Sequence, residues 1–160
     1  VPLGQMVDYV ARIVDLEGPI HLDEIVARIR IMWGLGRAGA RIRAAVERAV
    51  RTAAEQRLVE GGPFYAKPGL PIGVRDRAQV QSATLRKPEM LPPAEIEAAA
   101  ILIVKANYGA SRAELVQTLS RCFGFASTSA QLRLALEGGI DRSLAAGTLS
   151  LQGEVLVLAS

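Results

Sequence analysis

Val7, Val10, Ile13 and Val14 recur at three- and four-residue spacing between Met6 and Leu16, the period at which one face of a helix meets a core. Ile96, Ala100, Ile103 and Val104 repeat that spacing between Pro93 and Asn107, so both halves of the chain open on a helix. Breaks follow at Gly18-Pro19 and at Tyr108-Gly109. A second stripe, Ile25, Val26, Ile29, Met32 and Trp33, predicts a second helix that Gly34 ends. Its counterpart starts with Ser111 at the cap and Glu114 three residues on, a capping box, and ends at Gly124. His21 and Glu24 hold the matching places in the first half. Third helices are predicted from Arg37 to Gln56 and from Thr128 to Ala146, the latter interrupted at Gly138-Gly139. Short β-like stretches then flank Gly61-Gly62-Pro63 in the first half and Gln152-Gly153 in the second, predicting two hairpins.

The two halves align at a constant offset of 90. Glu24 falls on Glu114, Ile25 on Leu115, Val26 on Val116 and Ile29 on Leu119. Trp33-Gly34-Leu35 falls on Phe123-Gly124-Phe125, Ile42-Arg43 on Leu132-Arg133, and Val46-Glu47 on Leu136-Glu137. One inserted residue then brings Arg57-Leu58 onto Thr148-Leu149. Three helices followed by a hairpin is the winged-helix order. The expected fold is therefore mainly α with small β hairpins: tandem, duplicated winged-helix-like units at 1–66 and 93–160. The Pro/Gly-rich connector 67–92 lies between them, with Ile72-Gly-Val-Arg a candidate extra strand and Gln79 to Leu85 a helical turn or coil.

Composition supports packed helices, because half the residues are hydrophobic and only 4% are aromatic. Cys122 is the sole cysteine, which excludes an internal disulfide framework or a multi-cysteine zinc site and points to a reducing, cytoplasmic setting. No apolar run is long enough to cross a membrane, and no signal-peptide pattern opens the chain. The start at Val1 suggests a piece of a longer protein. Net charge is only +3, but its distribution is uneven. Residues 1–80 carry twelve Lys or Arg against nine Asp or Glu, and residues 81–160 carry seven against seven.

Much of that excess falls on the first unit's third helix. Ile42, Val46, Ala49, Val50 and Ala53 share its core face, and Arg37, Arg41, Arg48 and Arg51 share the opposite one. In a winged helix this element enters the major groove, where Arg meets guanine edges and phosphates bidentately. The plainer alternative is a solvated face whose Arg residues pair with Glu47, Glu55 or other acidic neighbours. In the second unit Ser127, Gln131, Gly138 and Asp141 occupy the matching places, so no basic stripe repeats there.

Other chemistry is sparse. His21 matches the Ser111 cap, which favours capping over general-base work. Cys122 reads as a small buried residue and Trp33 as core. Tyr65, near the wing, suits either a phosphate or base contact or a strand alternating between core and surface. Asp8, Asp15, Glu17, Asp23 and Glu24 form no metal-ligand pattern. No catalytic residue, metal, cofactor or small-molecule substrate is expected, and the chain reads as a binding module rather than an enzyme.

Val74-Arg75-Asp76-Arg77, Leu91-Pro-Pro-Ala-Glu-Ile, Ser111-Arg-Ala-Glu-Leu, Phe123-Gly-Phe and Gly153-Glu-Val-Leu together span most of the chain. In these it resembles the uncharacterised C-terminal domain of large bacterial superfamily 1 helicase-like proteins that also carry a restriction-endonuclease-like domain. The resemblance implies a nucleic-acid-processing context and carries over no catalytic residue. It adds up to an expectation of a non-catalytic accessory module that binds duplex DNA through Arg37, Arg41, Arg48 and Arg51. The rival expectation is a docking scaffold that positions other domains of the parent protein.

Overall fold

The structure, a computed structural model, describes residues 2–34, 39–80 and 84–159, with Thr84 described by its backbone alone. It is mainly helical, with two small antiparallel three-stranded sheets. The chain divides into two units, Val1–Pro71 and Ile72–Ser160.

In the first unit α1 (Leu3–Glu17) begins three residues before the predicted start, since Pro2 holds an extended conformation and its carbonyl accepts the Met6 N–H. The two-residue strand β1 (Ile20–His21) leads into α2 (Leu22–Met32), and α3 (Ala40–Glu55) follows. His21 caps α2 as expected, its Nδ1 accepting the Asp23 N–H at 3.0 Å. Val10, Ile25, Ile29, Val46, Ala49 and Ala53 are fully buried where the three helices meet. Strands β2 (Glu60–Gly61) and β3 (Phe64–Ala66) close the unit, with β3 central between β1 and β2.

The second unit runs α4 (Pro93–Asn107), β4 (Ala110–Ser111), α5 (Arg112–Cys122), α6 (Ala130–Ala146), β5 (Leu149–Gln152) and β6 (Val155–Leu158). Its sheet order, β4-β6-β5, matches that of the first. The Ser111–Glu114 capping box forms in both directions. The strands β1 and β4 were not expected. At two residues each they carry no legible alternation, and they exist by pairing with β3 and β6.

Two expectations are corrected here. Helix α6 is not interrupted at Gly138-Gly139. Gly139 is fully inside the α4–α6 contact, where a Cβ would run into Ile96, so the glycine permits a close helix approach rather than a break. The inserted residue also lies later than the alignment placed it. The Leu58 and Arg57 N–H groups bond to the Ala53 and Ala54 carbonyls and end α3; Thr148 and Gly147 bond to Ser143 and Leu144 in the same way. Offset 90 thus runs on to Val59 and Leu149, both buried. The extra residue is in the second hairpin, where Leu151 pairs with Leu156, whereas Gly61 pairs with Tyr65.

The connector does not stand apart. Residues from Ile72 onward group with the second unit, and Leu85, Met90 and Leu91 are buried. Ile72-Gly-Val-Arg is not a strand, because the Arg75 N–H is taken by the Glu95 carboxylate at 2.8 Å instead of a neighbouring strand. Single 3-10 turns occur at Thr84–Arg86 and Pro88–Met90. Residues 81–83 of the expected turn or coil lie outside the described residues.

Candidate nucleic-acid interface

Helix α3 has no polar N-cap; Gly39 stands there, and its carbonyl accepts the Ile42 and Arg43 N–H groups. Burial of Val46, Ala49, Val50 and Ala53 against α1 and α2 fixes the helix rotation and turns the opposite face outward. Arg41, Arg48 and Arg51 are all exposed there. At about 100° per residue they fall within roughly 80° of arc. Arg37 lies outside the described residues.

Two of the acidic neighbours that would neutralise this face, Asp23 and Glu47, go elsewhere. Glu47 takes the Arg43 Nε–H at 3.1 Å, and the same guanidinium reaches Asp23 at 2.9 Å. These bonds, that to Asp23 above all, hold the Arg43 pKa above its usual value. Arg43 thus spends itself on α2 and on its own helix, while Arg41, Arg48 and Arg51 make no ion pair among the described residues. Glu55 shares the exposed arc as its one acid. Arg48 also borders a groove of about 260 Å³ with Leu3, Met6 and Ala45. Its aliphatic stem therefore has apolar neighbours while its charged head faces solvent.

The β2–β3 hairpin is the first unit's candidate wing. Gly61 and Gly62 are exposed and have positive φ, a conformation that suits glycine. The Tyr65 hydroxyl lies over Gly62, and the ring is half-buried against the core, so it serves the wing's own packing. Trp33 is likewise half-buried on the core, edge-on to Tyr9 at 5.9 Å between ring centres.

In the second unit the matching face is different. Gln131 and Asp141 are exposed, and Arg112 pairs with Asp141 at 2.5 Å and Glu137 at 3.7 Å. Leu134, 71% exposed, stands in the second turn of α6. The sequence reading missed what lies at the other end of this unit. Arg77, 3% exposed, forms a bidentate pair with buried Glu95 at 3.0 and 2.8 Å, and its guanidinium stands 5.4 Å over the Phe123 ring. Both residues stand within the motifs already singled out, but only the fold brings them together.

Cys122 is half-buried beside this pair. Burial pushes its thiol pKa up, Asp76 and Glu95 add to the rise, and Arg77 opposes it, so the thiol is poorly suited to act as a nucleophile. Among the described residues no group of three His, Cys, Asp or Glu is placed to hold a metal ion, and no helix is long and apolar enough to cross a membrane.

Residues 1–44 match a family described as a protein of unknown function (DUF3320). The match covers α1, α2 and the start of α3, and lies apart from the motifs that carry the helicase-associated resemblance. No curated protein and no solved structure matches the chain.

Proposed function

We propose that the two units are diverged winged helices and that the first binds duplex nucleic acid through α3. In this reading the chain is a non-catalytic accessory module of a larger helicase- or nuclease-type protein. Support for the duplication comes from the shared element order, the shared sheet order and helix boundaries that stand 90 residues apart from Leu3/Pro93 to Ala40/Ala130. The helicase context rests on the sequence resemblance alone.

One observation carries the binding assignment. Three guanidiniums face solvent on the element that a winged helix lays into the major groove, and the nearby acids Glu47 and Asp23 are committed to Arg43. Phosphates would supply the missing countercharge, with the Gly61-Gly62 wing touching the backbone alongside.

The test is a titration of a labelled random-sequence duplex across salt, using the full chain and a variant with Arg37, Arg41, Arg48 and Arg51 all changed to Gln. The expected log–log slope is about −3, since each neutralised phosphate contributes roughly −0.9, and the variant loses both affinity and slope. Absence of binding at low salt, or an unchanged slope in the variant, overturns the assignment.

A further inference from the structure

Arg43 in the first unit commits its guanidinium to two carboxylates, Asp23 at 2.9 Å and Glu47 at 3.1 Å. Ninety positions later stands Arg133, and neither pairing survives there. Ala113 takes the place of Asp23. Glu137 matches Glu47 but is drawn to Arg112, whose Nε lies 3.7 Å from it and whose guanidinium also holds Asp141. The first unit has Leu22 where Arg112 stands, so that competitor is absent from it. Glu114, another acid at the start of α5, is held in the Ser111 capping box. Arg133 is exposed and makes no ion pair among the described residues.

Where the carboxylate is missing there is space. A cavity of about 360 Å³ is lined by Ala113, Val116, Gln117, Thr128 and Arg133. Ligand pockets run from roughly 300 to 1,000 Å³, so this one has room for a carboxylate together with the chain that carries it. Its polar groups are of both kinds. Arg133 brings only N–H donors, and Gln117 brings an amide. The Thr128 hydroxyl donates to Ser120 Oγ at 3.0 Å, so what its oxygen still offers is an acceptor. A peptide carries a carboxylate for Arg133 and an N–H for Thr128, whereas a phosphodiester has no hydrogen to donate.

We infer that this pocket of the second unit, between α5 and the start of α6, binds an aspartate or glutamate side chain of another polypeptide segment. The carboxylate pairs with Arg133 as Asp23 pairs with Arg43 in the first unit. The site is separate from the α3 arginines, and it holds or fails independently of nucleic-acid binding.

The probes are the end-capped tripeptides Ala-Asp-Ala and Ala-Asn-Ala, and dimethyl phosphate as a charge-matched stand-in for a nucleic-acid backbone. Each is titrated into the full chain to about 10 mM, the range suited to a single ion pair, and the amide signals of Ala113, Gln117 and Arg133 are followed by nuclear magnetic resonance. Ala-Asp-Ala moves these signals saturably. Ala-Asn-Ala and dimethyl phosphate bind at least about tenfold more weakly, the first for want of charge and the second for want of a donor. Arg133→Gln removes the saturable shift. Ala113→Asp, which restores the carboxylate that the first unit supplies itself, weakens the peptide at least about tenfold by occupying Arg133. Both positions are exposed on helices, and unmoved signals from the buried core show that the variants fold. The variant with Arg37, Arg41, Arg48 and Arg51 changed to Gln binds Ala-Asp-Ala as the unaltered chain does. The inference is overturned if Ala-Asp-Ala gives no saturable shift, if Ala-Asn-Ala or dimethyl phosphate binds as well, or if the site survives Arg133→Gln.

Discussion

The Arg77–Glu95 pair offers the most demanding test of how the second unit is held together. Changing Arg77 to Met keeps an unbranched apolar stem but removes two ion-pair hydrogen bonds, at 3.0 and 2.8 Å, and the bond to the Arg75 carbonyl at 2.7 Å. Glu95 keeps the Arg75 N–H, but its carboxylate stays buried without the guanidinium that pairs with it. Breaking a buried pair from one side costs about 3–5 kcal/mol, a large share of the roughly 5–15 kcal/mol that holds an ordinary domain. Among the described residues the Arg77 Nε–H has no hydrogen-bond acceptor, so the pair is not ideal, and the Phe123 ring is what faces the guanidinium instead. That shortfall places the expected cost at the lower end, about 3 kcal/mol.

The companion variant changes Arg77 to Met and Glu95 to Gln together. A neutral amide can still accept the Arg75 N–H without leaving a buried charge, so the double variant recovers about 2 kcal/mol relative to Arg77→Met alone, within the usual range for coupled neighbours. Urea unfolding is followed by far-ultraviolet ellipticity, which reports helices of both units, and by Trp33 emission, which reports the first. The ellipticity midpoint moves with each variant. A loss under about 1 kcal/mol for Arg77→Met, or a double variant no more stable than the single one, refutes the reasoning, since either means the carboxylate never depended on Arg77.

Two further outcomes follow from the helix ends and the helix contact. Arg57 holds φ 60° where its counterpart Gly147 holds φ 78°, so Arg57→Gly relieves left-handed strain and raises the thermal midpoint of the Trp33 transition by the equivalent of about 0.5–1 kcal/mol. Gly139→Ala forces a methyl into Ile96 and costs about 1–3 kcal/mol, whereas Gly138→Ala meets only the flexible end of Arg142 and gains up to about 1 kcal/mol of helix propensity; urea midpoints of the two variants move in opposite directions.

How much of this was legible depends on whether the signal was local. The apolar stripes of α1, α2, α4 and α5 recur within a few residues, so their faces could be read directly, and Val10, Ile29, Val104 and Leu119 are buried as their spacing implies. The caps at His21 and Ser111 act over two or three residues and were equally visible. Gly138-Gly139 misled because glycine is both a helix breaker and the residue that lets two helices approach. Only the position of Ile96, more than forty residues earlier, decides between them.

The same distinction applies to the α3 arginines and to the end of α2. The α3 arginines were visible as a helical period, but whether they are neutralised turned on Asp23, twenty residues from Arg43 and on another helix. With Asp23 and Glu47 both drawn to Arg43, the charge at Arg41, Arg48 and Arg51 faces outward. Met32 and Trp33 were equally visible, and both were assigned to the apolar stripe of α2 because residues at that helical spacing usually belong to the core. What the sequence could not show is that the stripe outruns the core it serves. Ile25 and Ile29 are fully buried and Trp33 packs against the same core, whereas Met32 is 50% exposed, so the helical period names the side of α2 that faces inward and not how deep each turn of it goes.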